Sequence, residues 1–167
     1  MALTSEITAK VASTLTSALD LVTVSVPLDT TARTRLASGT GADQADMQWS
    51  DTRTLGASAT EDLDLAASLT GPLGTTLTFA RVKAVLVTAS SGNTNNVNVT
   101  RPASNGVPLF LAAGDGLAVR PGGTFLLVAP DATGYAVTAD TGDLLTFTNS
   151  AGSTSVTYSV VIIGASA

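Results

Sequence analysis

Apolar residues in this chain fall in short runs, cut about every 10–12 residues by clusters of Gly, Pro, Asn, Asp and Ser. That rhythm predicts strands, and it is strongest from residue 76 onward. TLTFARVKAVLVTAS alternates and then becomes continuously apolar at AVLV, as a central strand does. The turn cluster SGNTNN separates it from the short strand VNVT. GVPLFLAAGDG adds an apolar run closed by Gly-Asp-Gly, and LAVRPGG and TFLLVAP meet at the turn Pro121-Gly122-Gly123. YAVTA, LLTFTN and SVTYSVVIIG complete the set, and the last, being so apolar, should lie centrally in its sheet.

Upstream the pattern is more mixed. RTLGASATEDLDLAASLT puts Leu63 and Leu65 on one face and Asp62 and Asp64 on the other, which predicts a half-buried strand. LVTVSV reads as a strand ended by Pro27; TARTRL follows as a short strand before a GTG turn and a polar loop carrying Trp49, a core plug or an interface anchor. In residues 1–20, Leu3, Ile7, Val11, Leu15 and Leu19 recur every fourth position, a helical stripe. All five positions are also odd, so they share one face of an extended strand. The segment reads as an arm outside the main core, helical or extended. The expectation is an all-β, antiparallel, sandwich- or jelly-roll-like single domain of about eight to ten strands. Residues 1–35 form the N-terminal arm and first strand, and residues 36–167 the β-sandwich.

Composition changes the picture by subtraction. At 167 residues and 44% hydrophobic the chain can bury a core, but with 4% aromatic residues that core must be aliphatic. Charged residues make up 13%, about half the usual share, so Thr, Ser, Asn and Gly must cover the surface. Such a surface packs against a neighbour at low desolvation cost. A net charge of −5 with six scattered arginines argues against nucleic acid, and only Arg33 and Arg35 sit close together, as a solvated pair. No run approaches the ~20 apolar residues of a membrane helix, and the N-terminal sequence has no basic leader, so neither membrane nor secretion is expected.

The chain has no His and no Cys, which removes Ser-His and Cys-His nucleophilic sites and the usual zinc ligands. A Ser-Lys dyad would need Lys10 or Lys83, and Lys83 in FARVKAVLV reads as an outward, solvated side chain. Glu61, Asp62 and Asp64 are the densest acidic cluster, but a solvated face or a salt bridge outweighs glycosidase chemistry in so aromatic-poor a chain. Asp140-Thr141-Gly142-Asp143 and Asp43-Gln44-Ala45-Asp46 lack the spacing of a calcium loop and read as turns. GPLGTT and GTGADQ lack the full phosphate and dinucleotide patterns. The sequence therefore assigns no catalytic, metal or cofactor-binding residue, and no enzyme.

Four segments carry a resemblance: DTRTLGASATEDLDLAASLT, TLTFARVKAVLV with its NTNN loop, VRPGGTFLLVAPDATGYAVTADTGDLL, and VTYSVVIIGASA. Together, over roughly residues 36–167, they resemble a family of small structural proteins of tailed bacteriophages, head-associated or minor virion components. The resemblance implies a β-sandwich capsid decoration, or cement, protein on the exterior of the virion shell, made in the host cytoplasm. It implies the major capsid protein as partner and a homo-oligomer, with a trimer favoured, and it transfers no active-site residue. The alternative is a tail, connector or fibre-associated β-sandwich that recognises host glycans through Trp49 or the tyrosines.

Overall fold

A computed structural model describes residues 2–167, and every regular element among them is a β-strand. In chain order these are β1 (Ser5–Ala18), β2 (Thr23–Ser38), β3 (Gln44–Ala45), β4 (Met47–Leu55), β5 (Thr60–Asp64), β6 (Leu69–Thr70) and β7 (Thr76–Leu77). They continue as β8 (Arg81–Ala89), β9 (Val97–Thr100), β10 (Gly116–Val119), β11 (Thr124–Val128), β12 (Tyr135–Ala136), β13 (Leu144–Asn149) and β14 (Val156–Ala165).

Nine of them build the sandwich. One sheet has the order β11-β8-β14-β4, with β12 added to β8, and the other has the order β10-β9-β13-β5. Pairing within both sheets is antiparallel. The two orders match strand for strand: β4 and β5, β8 and β9, β10 and β11, and β13 and β14 are sequence neighbours in opposite sheets. That is the jelly-roll-like arrangement the spacing predicted. β14 lies between β8 and β4, so the most apolar strand is central, as its composition required.

Alternation decides what the layers bury. Val156, Tyr158, Val160 and Ile162 of β14 face Val97 and Val99 of β9 and Leu145 and Phe147 of β13 in one aliphatic core. Phe147 stacks on Tyr158 at 4.7 Å between ring centroids, joining the two sheets at the middle. Leu63 and Leu65 are buried, as the 61–65 alternation predicted, and Trp49 is a core side chain. The run at 107–111 is an irregular loop, not a strand; it buries Val107 and Leu109 and leaves Leu111 exposed.

The N-terminal segment is a β-hairpin, so the helical reading of residues 1–20 is overturned. β1 and β2 pair antiparallel from Ser5–Leu36 to Ala18–Thr23. The every-fourth-residue stripe is one face of a strand, because its positions share parity as well as helical phase. Nor does Pro27 end the strand: it sits opposite Thr14 inside β2. A two-stranded ribbon is all edge, so a residue without an N–H is tolerated there.

Candidate functional site

The described residues gather no cluster of metal-ligating side chains, but they do offer a surface. Ser5 and Leu36 are buried and Ile7 and Thr34 half-buried, so two rungs root the hairpin in the body. Beyond them every residue from Thr8 to Arg33 is exposed. At about 3.3 Å per residue the free ribbon extends about 35 Å. It turns tightly over Asp20 and Leu21, closed by Leu19 N–H donating to the Val22 carbonyl at 2.8 Å.

Cross-strand register sorts its side chains. Residues directly opposite share a face, so Ile7, Val11, Leu15 and Leu19 lie with Val22, Val24, Val26 and Leu28. Leu15 is 73% exposed and Val26, its partner across the rung, 57%. No charged residue lies on this face from Ser5 to Ala18 or from Thr23 to Leu36. The charges occupy the other side and are already paired: Lys10 with Asp29 at 2.9 Å, and Glu6 with Arg35 at 2.8 Å and Arg33 at 3.5 Å. The Arg35 hydrogen bond, with the charges of Arg33 and Arg35, holds the Glu6 carboxyl below its ordinary range. Arg33 and Arg35 are thus solvated, as expected, but share an acidic partner.

At the root this apolar face meets a second apolar patch. Ala84 and Leu86 of β8, Leu126 of β11, and Val161 and Ile163 of β14 form the outer side of their sheet and line, with Glu6, Ile7 and Thr8 of β1, a groove of about 250 Å³. Further along the same sheet face the side chains become hydroxyls, paired as Thr52–Ser159 and Thr54–Thr157, each at 3.1 Å. A separate groove of about 600 Å³ runs between Leu3, Met47, Pro72, Leu73 and Leu77.

Lys83 corrects the sequence reading and explains how the arm is mounted. Its side chain is fully buried, not solvated. Ile163 pairs with Ala84 and Gly164 with Val82, so Lys83 is the extra residue of a β-bulge and escapes the alternation around it. Gly164 permits this kink: a Cβ there would lie 2.2 Å from the Arg81 carbonyl oxygen. The Lys83 ammonium donates to the carbonyls of Asp131 and Gly41, and Arg81 donates to the Thr40 carbonyl at 3.0 Å. Asp43 N–H donates to the Pro130 carbonyl at 2.7 Å. The loop that leaves the hairpin is therefore bound to the body by two cations and a backbone bond. Desolvation lowers the Lys83 pKa, opposed by the nearby Asp131 charge. Its partners are carbonyls, which do not activate an amine as a base.

The acidic candidates scatter into structural roles. Glu61 points inward, accepting from Arg53 Nη2 at 2.6 Å and from the Tyr158 hydroxyl at 2.5 Å, and bridges the two sheets at one edge. Burial first, then the Glu61 hydrogen bond, raises the Tyr158 pKa well above that of a free phenol. Asp62 points outward and accepts from Thr146 Oγ1, and Asp64 caps the Ala66 and Ala67 N–H groups. Asp46 holds Ser166, and Asp143 Oδ2 accepts from Asp140 N–H in a tight turn; Asp143 Oδ1 has no partner. Asp43 and Asp140 adopt positive φ values of 53° and 63°, as turn residues do. Among the described residues no three acidic groups gather as a metal site. Of the rings offered for sugar stacking, Trp49 and Tyr158 are 5% and 1% exposed, whereas Tyr135 on β12 is half-buried.

Sequence reasoning treated Val11, Leu15, Val24, Val26 and Leu28 only as pieces of separate elements. The signal that unites them was present: two alternating segments around the short LDL tip, with odd-numbered apolar positions before it and even-numbered ones after. No family model, curated protein or solved structure matches the chain.

Proposed function

We propose that this chain is a non-enzymatic assembly protein, a capsid decoration protein of a tailed-bacteriophage virion. In this reading it stabilises the major capsid shell from outside by protein–protein contacts. The observation that carries the assembly role is the hairpin from Thr8 to Arg33, held out from a complete sandwich with its apolar side uncovered. A two-stranded ribbon is marginally stable alone in water, and an exposed apolar face of this length is what partner surfaces cover. The step from assembly to a phage shell rests on the resemblance of residues 36–167.

The physics suits a cement. Paired hydroxyls and few charges on the body make attachment depend little on salt. Several weak contacts per oligomer, with three copies favoured, reinforce one another through effective concentration, and binding only to the finished shell stabilises it by mass action. The arm and an exposed sheet edge supply the shell contacts, where strand addition is open to them.

The test is to replace residues 8–33 by Asn-Gly, joining Ile7 to Thr34 by a two-residue hairpin turn. The root rungs and the whole core remain. The variant should keep its unfolding transition and lose occupancy on the particle; unchanged occupancy would remove the arm from the account.

A further inference from the structure

We propose that the apolar face of the arm is a self-association surface, covered by the same face of a second copy of this chain. The inference rests on the assembly reading above and deepens it, because shell contact then falls to the tip and the polar side.

Three features select this occupant. The first is shape. Along β1 the face runs Val11, Ser13, Leu15, Ser17, and the residues opposite are Thr30, Leu28, Val26 and Val24. Along β1 large and small side chains alternate, beside a ridge of Val24, Val26 and Leu28 on β2, and Ser13 and Ser17 each face a larger partner across the rung. Such a corrugated surface accepts a copy of itself shifted by one step, knobs over gaps.

The second is chemistry. The face has no charge from Ser5 to Ala18 or from Thr23 to Leu36, so it offers nothing to an oppositely charged partner, while the ionic groups of the two strands are paired on the far side and Asp20 sits at the tip. It does carry hydroxyls, Ser13, Ser17, Thr30 and Thr34. A second copy supplies matching hydroxyls, as strand neighbours do at Thr60–Thr148, 3.0 Å apart. Hydrocarbon would leave them unpaired, which disfavours a bilayer.

The third is extent and continuity. A ribbon about 35 Å long and about 10 Å wide has a flat footprint of about 350 Å². Pairing two such faces covers about 700 Å² of flat footprint, so the patch at the root must join them to reach the about 1,000 Å² that specific association needs. The patch around Leu86, Leu126 and Val161 continues this surface at the root, where the end of a partner's arm can be received. The outer edge of β1, and that of β2 before Ala37, pair with no other strand among the described residues, so further copies can add at the sides.

The absence of cysteine gives a clean experiment. Ser13→Cys places a single thiol on the apolar face, and Thr14→Cys places one on the opposite face at the next residue. Under mild oxidation of the purified full chain, Ser13→Cys should form inter-chain disulfides at micromolar concentration and Thr14→Cys should not. In sedimentation velocity the intact chain should be an oligomer, and Leu15→Glu and Val26→Glu should lose association with unchanged circular dichroism. A monomeric intact chain, or equal cross-linking of the two thiols, would overturn the proposal. So would a monomer that co-sediments with phosphatidylcholine–phosphatidylglycerol vesicles, which would give the face to a bilayer. If the chain is monomeric yet still decorates particles through the arm, only self-association fails and the cement reading stands.

Discussion

The arm and the sandwich are written in the same alphabet, alternating Val, Leu and Ile with Thr and Ser, yet they solve opposite problems. In the sandwich, Val160 and Leu145 belong to opposite sheets of one core and are fully buried. In the arm, Leu15 and Val26 meet across one rung and then face water, because the ribbon has no second layer. Alternation states which residues share a face; it does not state what the face meets. That is decided by how many strands gather, and a two-stranded element leaves the question to another molecule.

The sharpest way to break this comparison is to make one chemical change in both regions. Leu145→Ala should cost about 2–5 kcal/mol of unfolding free energy in denaturant titration, as buried leucine truncations do. Leu15→Ala should move that value by less than about 0.5 kcal/mol and act instead on association. Comparable losses in both would mean the arm is part of the folding unit.

A smaller effect concerns two buried titratable groups of the sandwich, Tyr158 and Lys83. Tyr158 stays protonated in the fold well above the pH at which a free phenol ionises. A group whose folded pKa is raised contributes stability that is complete below its unfolded value and is lost as pH rises past it. Stability should therefore decline above about pH 10. Lys83 works in the other direction and at lower pH, because its lowered pKa makes the unfolded chain bind the proton more strongly, so its contribution rises with pH up to the ordinary lysine value and is level above it. Tyr158→Phe should flatten the alkaline decline; an unchanged pH profile would show that the Tyr158 hydroxyl is not buried in the fold.

The mildest test concerns the mount. Lys83→Met keeps the volume and removes the donor to Gly41 and Asp131. Stability should change by about 1 kcal/mol or less, since a buried charge and its desolvation nearly cancel. Hydrogen exchange at Asp43 should accelerate as the loop at Gly39–Asp43 loosens. Unaltered exchange would mean that Arg81 holds the loop without help.

These contrasts also show what was legible in the sequence. The sandwich could be read because its strands are short, its turns marked by residues such as Pro121-Gly122-Gly123, and its core strands continuously apolar. Lys83 could not, because a bulge shifts parity by one and only the partner strand reveals it. The arm was half legible. A period of four satisfies helix and strand alike, and Pro27 suggested a break that an edge strand does not need. The charge pairs Lys10–Asp29 and Glu6–Arg35 join residues 19 and 29 apart, distances at which only a known register brings partners together. The acidic cluster looked denser in sequence than in space, since alternation sends Glu61 inward and Asp62 outward.

The central claim is that the arm waits for a partner and the sandwich does not. Amide hydrogen exchange measures both at once, in the dilute chain and in its assembled state. Protection across residues 8–33 should rise sharply on assembly while β8, β13 and β14 exchange as before. Arm amides that exchange at the same rate in both states would contradict it.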